Sequence, residues 1–179
     1  MTSEGPSASE CPDAVADFAA QAVDYVFRAV GVTLTYDSET LPILDHYLGI
    51  VPRGDVDSSA LVAATAGAYF GEVVRRRLGG RWDVAAGDPG EWKLILPGGL
   101  TLLPAGAVMA AIVRDEEVDP GLDAPPAMRP VIAETLAQMA EASEEMYYSL
   151  GFRLDTLEHL QSVLLATAAQ RAGEASSKD

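Results

Sequence analysis

Apolar positions recur at helical spacing near the start of the chain. Between residues 13 and 30 they fall largely on one side of a helix, and Gly31 follows as a plausible stop. These positions are Val15, Phe18, Ala19, Ala22, Val26 and Val30. The pattern predicts a helix over 13–30, and a second apolar stretch predicts a short helix over 41–49.

The segment from 58 to 78 is apolar on two faces. One face carries Val62, Ala66, Tyr69 and Val73, and the other carries Ala60, Gly67, Gly71 and Leu78. A helix that is apolar on two sides has neighbours on two sides, so we expect this one to be central. Gly67 and Gly71 remove side chains where another backbone can approach. Asp57 and Ser58 are the candidate N-caps, and Gly79-Gly80 ends the helix.

After Gly80 the apolar period changes from helical to two. Trp82 and Val84, then Trp92, Leu94 and Leu96, then Leu100 and Leu102 alternate with other residues, and GDPG and PGG turns separate the runs. This alternation predicts three antiparallel strands at about 81–86, 91–96 and 100–103. The connections are too short for the crossover helix that a parallel pair needs.

Helical patterns return after the predicted meander. Pro104 opens one helix, a proline-rich connector spans 118–130, and two more helices are expected at 131–149 and 156–171, separated by Gly151. Asp155, with Glu158 three residues later, is the expected cap of the last one. The order predicts a helix-rich single α+β domain over 13–170, in which helices pack around a three-stranded antiparallel meander at about 81–103. Residues 1–12 and 171–179 are expected to be disordered tails.

The charge balance restricts the partners. With 12 Lys and Arg against 27 Asp and Glu, the net charge is −15. Such a chain repels phosphates and anionic membranes, so we expect no nucleic-acid or membrane partner. An acidic surface suits a basic protein partner, although it also serves solubility alone.

The polar first residues and the single cysteine say little about function. MTSEGPSASECPD has no basic residue and no apolar block, and no run approaches the roughly 18 apolar residues of a membrane span. A cytoplasmic location is therefore expected. Cys11 lies in this polar stretch and is expected to be an incidental exposed thiol.

Motifs for metal, cofactor or nucleophilic chemistry are missing. His46 and His159 lie in different predicted helices, and the sequence holds no HExxH, CxxC, EF-hand loop or GxSxG. The glycines of LPGGL belong to a hairpin turn without the lysine of a phosphate loop. We therefore predict no metal, no cofactor and no assigned catalytic residue.

The stretch GAYFGEVVRRRLGGRW holds the most conspicuous acid, Glu72, three and four residues before Arg75 and Arg76. A half-buried carboxylate can have a raised pKa and act as an acid or base, whereas pairing with an arginine lowers its pKa. The spacing favours the structural pair over an anion site. The candidate pocket or structural cluster comprises Tyr69, Glu72, Arg75, Arg76, Trp82 and Trp92.

The same stretch, followed by EWKLIL and by Leu103-Pro104, resembles an uncharacterised bacterial domain family. In that family a GAYxGE helix is followed by LGGxW and a short antiparallel sheet. The resemblance covers residues 65–104 and implies the helix-to-sheet arrangement, but it implies no activity.

Three functions remain open. The first is a non-enzymatic protein-interaction module of the immunity, chaperone or adaptor type. The second is a small-molecule-binding domain or enzyme, with a pocket around Glu72 between the central helix and the meander. The third is a structural homo-oligomer that associates through its C-terminal helices.

Overall fold

The computed structural model describes residues 10–115, 121–138 and 143–176. Within these ranges the chain forms seven α-helices and a four-stranded antiparallel sheet, so the predicted helix-rich α+β class is confirmed. The helices are α1 (Asp13–Val30), α2 (Leu41–Ile50), α3 (Val56–Leu78), α4 (Pro104–Val113), α5 (Arg129–Gln138), α6 (Glu144–Tyr148) and α7 (Leu150–Ser176). The strands are β1 (Arg81–Asp83), β2 (Lys93–Ile95), β3 (Thr101–Leu102) and β4 (Leu122–Asp123).

Helix α3 is the centre of the core, as its two apolar faces predict. It packs between α1 and α4, and its residues from 65 to 74 are all buried. Gly67 lies against the start of α4, where an added Cβ would come within 2.7 Å of the Ala105 backbone. The predicted close approach of another backbone at this glycine is therefore confirmed.

The first turn of α3 differs from the prediction. The helix begins at Val56, and its N-cap is Asp55, not Asp57 or Ser58. The Asp55 carboxylate accepts hydrogen bonds from the backbone N–H groups of Asp57 and Ser58 at 3.1 and 3.3 Å. Asp55 therefore satisfies the free donors of this helix end, which moves the start two residues earlier than expected.

The four strands lie in chain order, and each pairs with the next. Trp82 is opposite Leu94, Leu94 is opposite Leu102, and Leu102 is opposite Leu122, so one row of apolar side chains faces the core. The strands are shorter than predicted, and β4 lies in the segment predicted to be a connector. A strand of only two residues, such as β4, gives no periodic signal in the sequence. In addition, β4 pairs with β3 only after the chain has passed through α4.

The predicted single helix over 131–149 is wrong. Ser143 has an extended backbone, with φ −64° and ψ 156°, and its hydroxyl caps α6 by accepting from the Met146 backbone N–H. Two helices therefore cover this stretch, α5 before Ser143 and α6 after it, and residues 139–142 lie outside the described ranges. A serine hydroxyl accepts readily from nearby backbone N–H groups, which is why Ser143 starts a new helix here.

The predicted start of the last helix is also wrong. Helix α7 begins at Leu150 and passes through Gly151 and Asp155 without interruption. Its first donors are already satisfied, because the hydroxyl of Ser149 accepts from the Phe152 N–H at 3.2 Å. The Leu150 N–H donates to Asp45 of α2 at 2.9 Å, a cap supplied by tertiary contact that local spacing does not reveal.

The predicted N-terminal tail lies largely outside the described residues, which leave out 1–9, whereas only 177–179 of the predicted C-terminal tail are left out. Where the structure does describe them, it shows α7 continuing to Ser176 and Cys11 packing against the core. In the described part of the chain, no helix combines the length and the apolar character needed to cross a bilayer.

Candidate functional site

The carboxylate of Glu72 is the buried centre of the predicted cluster. Its side chain is only 2% exposed. The indole Nε1 of Trp82, the middle residue of β1, donates to Oε1 of Glu72 at 2.7 Å. The Trp82 ring lies directly over Gly71, where an added Cβ would overlap it. Glycine at 71 therefore lets the indole reach the next residue of α3, Glu72.

Two arginines from the last turn of α3 complete the contacts of Glu72. The Nε of Arg75 lies 2.7 Å from Oε1, and its Nη2 donates to Oε2 at 3.1 Å. The Nε of Arg76 lies 3.6 Å from Oε2, and the Arg76 side chain is 52% exposed. The pairing predicted from the three- and four-residue spacing is confirmed, with Arg75 as the closer partner.

The contacts of Glu72 determine its protonation. Burial on its own would raise the pKa, but hydrogen bonds from Arg75 and Trp82 and the positive charge of Arg75 outweigh it, so the pKa lies below the ordinary 4.5. The carboxylate is therefore ionised at neutral pH, and its oxygens already accept hydrogen bonds. Such a group is neither a good proton donor nor a strong base.

Cys11 is not the exposed thiol that the sequence suggests. It is half-buried and packs against the core, its thiol donates to the carbonyl of Pro12 at 3.6 Å, and the carboxylate of Glu72 lies nearby. Burial, together with the negative charge of Glu72, raises the pKa of Cys11 to about 12. The thiol thus stays protonated beside the acid. No local motif predicts this contact, because it joins residues 61 positions apart through the packing of α1 on α3.

Tyr69 belongs to an adjoining network. Its hydroxyl accepts from the Tyr36 backbone N–H at 2.9 Å and lies 2.8 Å from Oγ1 of Thr40. The guanidinium of Arg76 lies over the Tyr36 ring, 4.4 Å from its centroid. Arg76 therefore connects Glu72 to the loop before α2. Tyr69 and Arg76 are candidates from the sequence, whereas Tyr36 and Thr40 are not, because only folding brings these two residues next to them.

Trp92 stands apart from these contacts. Its Nε1 donates to the carbonyl of Ala86 at 3.1 Å, which closes the loop between β1 and β2. Its ring meets Phe18 of α1 edge to face, with centroids 5.2 Å apart. Trp92 therefore helps to dock α1 on the sheet, and its indole N–H is used by this loop.

A partly open cavity of about 170 Å³ lies on the sheet, away from Glu72. It is lined by Lys93, Thr101, Leu103, Gly121, Leu122 and Asp123, none of which belongs to the predicted cluster. His46 and His159 are exposed. Across the described ranges, the His, Cys, Asp and Glu side chains form no group of three or more that is arranged to hold a metal ion.

No protein-family model, no curated protein and no solved structure matches the chain. The resemblance of residues 65–104 to a bacterial domain family therefore stands on the quoted motifs alone.

Proposed function

We propose that this protein is a non-enzymatic binding module that recognises another protein, a basic one, and works in the cytoplasm. The observation that carries the proposal is the state of Glu72, the one residue of the predicted cluster suited to acid-base chemistry. Trp82, Arg75, Arg76 and Cys11 surround its carboxylate, and its pKa is lowered. The cluster therefore links α3 with β1 and with the segment just before α1, and we assign the binding to the surface of the protein.

The charge supports a basic protein as the partner. A net charge of −15 on 179 residues gives the molecule a negative field that attracts a positive partner and repels phosphates. Interaction modules of the immunity, chaperone or adaptor type use such surfaces, and the choice among these three types follows from the partner.

The alternative, a small-molecule site or enzyme around Glu72, has less support. A ligand there would have to displace Trp82 or an arginine, which breaks hydrogen bonds to a buried carboxylate. Association through the C-terminal helices is a third possibility, and light scattering of the purified protein over a range of concentrations tests it directly.

The proposal is tested by capture and reconstitution. Tagged protein is incubated with an extract of the cells that make it, at about 50 mM and about 500 mM salt, which screens exposed charge to different extents. Each captured protein is then purified and titrated against the chain by calorimetry. We expect one basic protein to bind as a purified component, and to bind more weakly at the higher salt concentration.

Two results would overturn the proposal. One is that no captured protein binds once it is purified. The other is that a small molecule from the same extract raises the melting temperature of the wild type and is converted to a product. In that case the pocket interpretation of Glu72 would replace the binding module.

A further inference from the structure

The outer side of α1 is a helix face that the described part of the chain leaves uncovered. Val15, Ala19, Ala22 and Val26 point inwards. On the opposite side, one exposed stripe consists of Asp13, Asp17, Ala20, Asp24 and Phe27. With 100° per residue these five fall within a sector of about 80°, and they extend over roughly 21 Å at 1.5 Å per residue. We call this set the α1 stripe.

The charges of the α1 stripe are free to act on a partner. Asp13, Asp17 and Asp24 make no hydrogen bond through their side chains and no ion pair with any described residue. The other charged residue of the helix is Arg28, at the edge of the stripe. Ala20, between Asp17 and Asp24, has a short side chain and lets another backbone come close.

Phe27 distinguishes the α1 stripe from an acidic helix face that serves only to keep a protein soluble. Its side chain is 55% exposed, although it stands on a helix whose other large apolar residues are at least partly covered. Leaving more than half of an aromatic ring in water costs apolar burial that a partner can recover. Exposed aromatic side chains of this kind are the usual anchors of protein interfaces.

We propose that the α1 stripe is the docking surface for a basic amphipathic helix of another protein. This inference rests on the proposed function and names its surface. Lysine or arginine side chains of the partner would pair with the three aspartates, and an apolar group would cover Phe27. The charge complementarity selects this occupant.

Other occupants fit the α1 stripe less well. A second copy of this chain would bring three aspartates against three aspartates between molecules of net charge −15. An anionic lipid surface is repelled by the same residues, although Phe27 alone would favour it. A helix on a face this short buries less area than a stable dimer needs, so the α1 stripe fits a transient complex with a dissociation constant on the order of micromolar.

The proposal is tested with the full chain and a defined probe. The probe is a helical peptide of about 20 residues, with lysines at the spacing of the three aspartates and a leucine opposite Phe27. A scrambled peptide of the same composition controls for charge alone. Affinities are measured by fluorescence anisotropy at about 50 mM salt, where exposed charges are weakly screened.

Two variants remove the two parts of the surface. We expect the triple variant Asp13→Asn, Asp17→Asn, Asp24→Asn to weaken binding of the peptide at least tenfold. We expect Phe27→Ala to weaken it about fivefold, and to do so also at high salt because the lost contact is apolar. Circular dichroism confirms that both variants keep their helix content.

A matched triple variant controls for net charge. Glu134→Gln, Glu145→Gln and Glu174→Gln change exposed acids on other helices by the same total charge, and we expect less than a twofold effect. The inference is overturned if this control weakens binding as much as the α1 variant does, or if the scrambled peptide binds equally well. It is also overturned if the wild type binds vesicles of phosphatidylserine and phosphatidylcholine through Phe27, or dimerises through α1.

The two proposals fail in different ways. If a reconstituted protein partner binds the wild type and the α1 variants equally, the binding function stands and the docking surface is wrong. If no purified partner binds at all, the proposed function is wrong, whatever the peptide does.

Discussion

The indole N–H of Trp82 donates to the carboxylate of Glu72 across 2.7 Å, in a place where the Glu72 side chain is 2% exposed. This bond joins the first strand of the sheet to the central helix. Arg75 donates to both oxygens of the same carboxylate. The acid that stands out in the sequence is thus a junction between two elements, and its loss is expected to affect stability first.

Glu72→Gln is expected to destabilise the protein by about 2–4 kcal/mol, because it removes the negative charge that accepts from Arg75 and Trp82 in a buried place. This destabilisation is smaller than that expected for a fully buried ion pair, because the Arg75 side chain is 16% exposed. Urea denaturation at neutral pH measures the difference.

Glu158→Gln is the matched control for this substitution. The pair of Glu158 with Arg77 has both side chains exposed, so we expect a change of about 0.5 kcal/mol or less. If Glu72→Gln were as stable as the wild type but had lost a measured binding or turnover, the structural interpretation of Glu72 would be wrong.

The stabilisation by Glu72 depends on pH with a defined sign. Its folded-state pKa is lowered from 4.5, so its contribution is fully present above pH 4.5 and is lost as the pH falls through the folded-state pKa. We therefore expect the free-energy difference between wild type and Glu72→Gln to be constant from about pH 7 to pH 5 and to shrink below that.

Denaturation of both proteins across this range checks the pH dependence, and taking the difference cancels the other carboxylates. A difference that grows as the pH falls would mean that the folded-state pKa of Glu72 is raised, as a catalytic acid would require.

The sequence predicted those parts of the fold and site that depend on local spacing. Helix α3, its two neighbours and the pairing of Glu72 with Arg75 all follow from residues three or four positions apart, where side chains on one helix meet. The end of α3 at Gly79 was also predictable from the local sequence, because glycine adopts a φ of 79° without steric cost.

The parts that the sequence did not predict depend on contacts between distant segments. Leu150 starts α7 because Asp45 of α2 accepts its N–H, and β4 exists because β3 pairs with it across an intervening helix. Cys11 reaches Glu72 only through the packing of α1 on α3. Propensity and periodicity carry no information about such pairs.

Two glycines on helices are expected to respond in opposite directions to alanine. Gly71→Ala places a Cβ where the Trp82 ring lies, and we expect it to destabilise the protein by about 2–3 kcal/mol. Gly151→Ala meets open space within α7, and we expect it to stabilise the protein by about 0.5 kcal/mol through helix propensity. Thermal denaturation measures both. Loss of stability in Gly151→Ala would indicate a chain break at 151, as the sequence first suggested.

Substitutions of Asp45 can distinguish whether its hydrogen bond or its negative charge stabilises the start of α7. Burial raises its pKa above 3.8, although the N–H groups of Leu150 and Gly151 partly offset this, so its ionisation costs stability at neutral pH. We expect Asp45→Asn, which keeps an acceptor for Leu150, to be at least as stable as the wild type at about pH 7. Asp45→Ala, which removes the acceptor, should cost about 1–2 kcal/mol. Equal destabilisation in both variants would show that the charge itself holds the start of α7.

The rate at which Cys11 is alkylated reports whether the thiol is buried beside Glu72 in solution. Raising the pKa of a thiol from 9.0 to about 12 lowers its thiolate fraction at neutral pH about 1,000-fold, and only the thiolate attacks iodoacetamide. We expect the folded protein to be alkylated far more slowly than free cysteine, and the protein in denaturant to react at an ordinary rate. Glu72→Gln should react several-fold faster than the wild type, because it removes the negative charge beside the thiol while burial remains. If the wild-type protein reacted as fast as free cysteine, Cys11 would lie away from Glu72. The Glu72 carboxylate would then be accessible on the side where Cys11 is now placed.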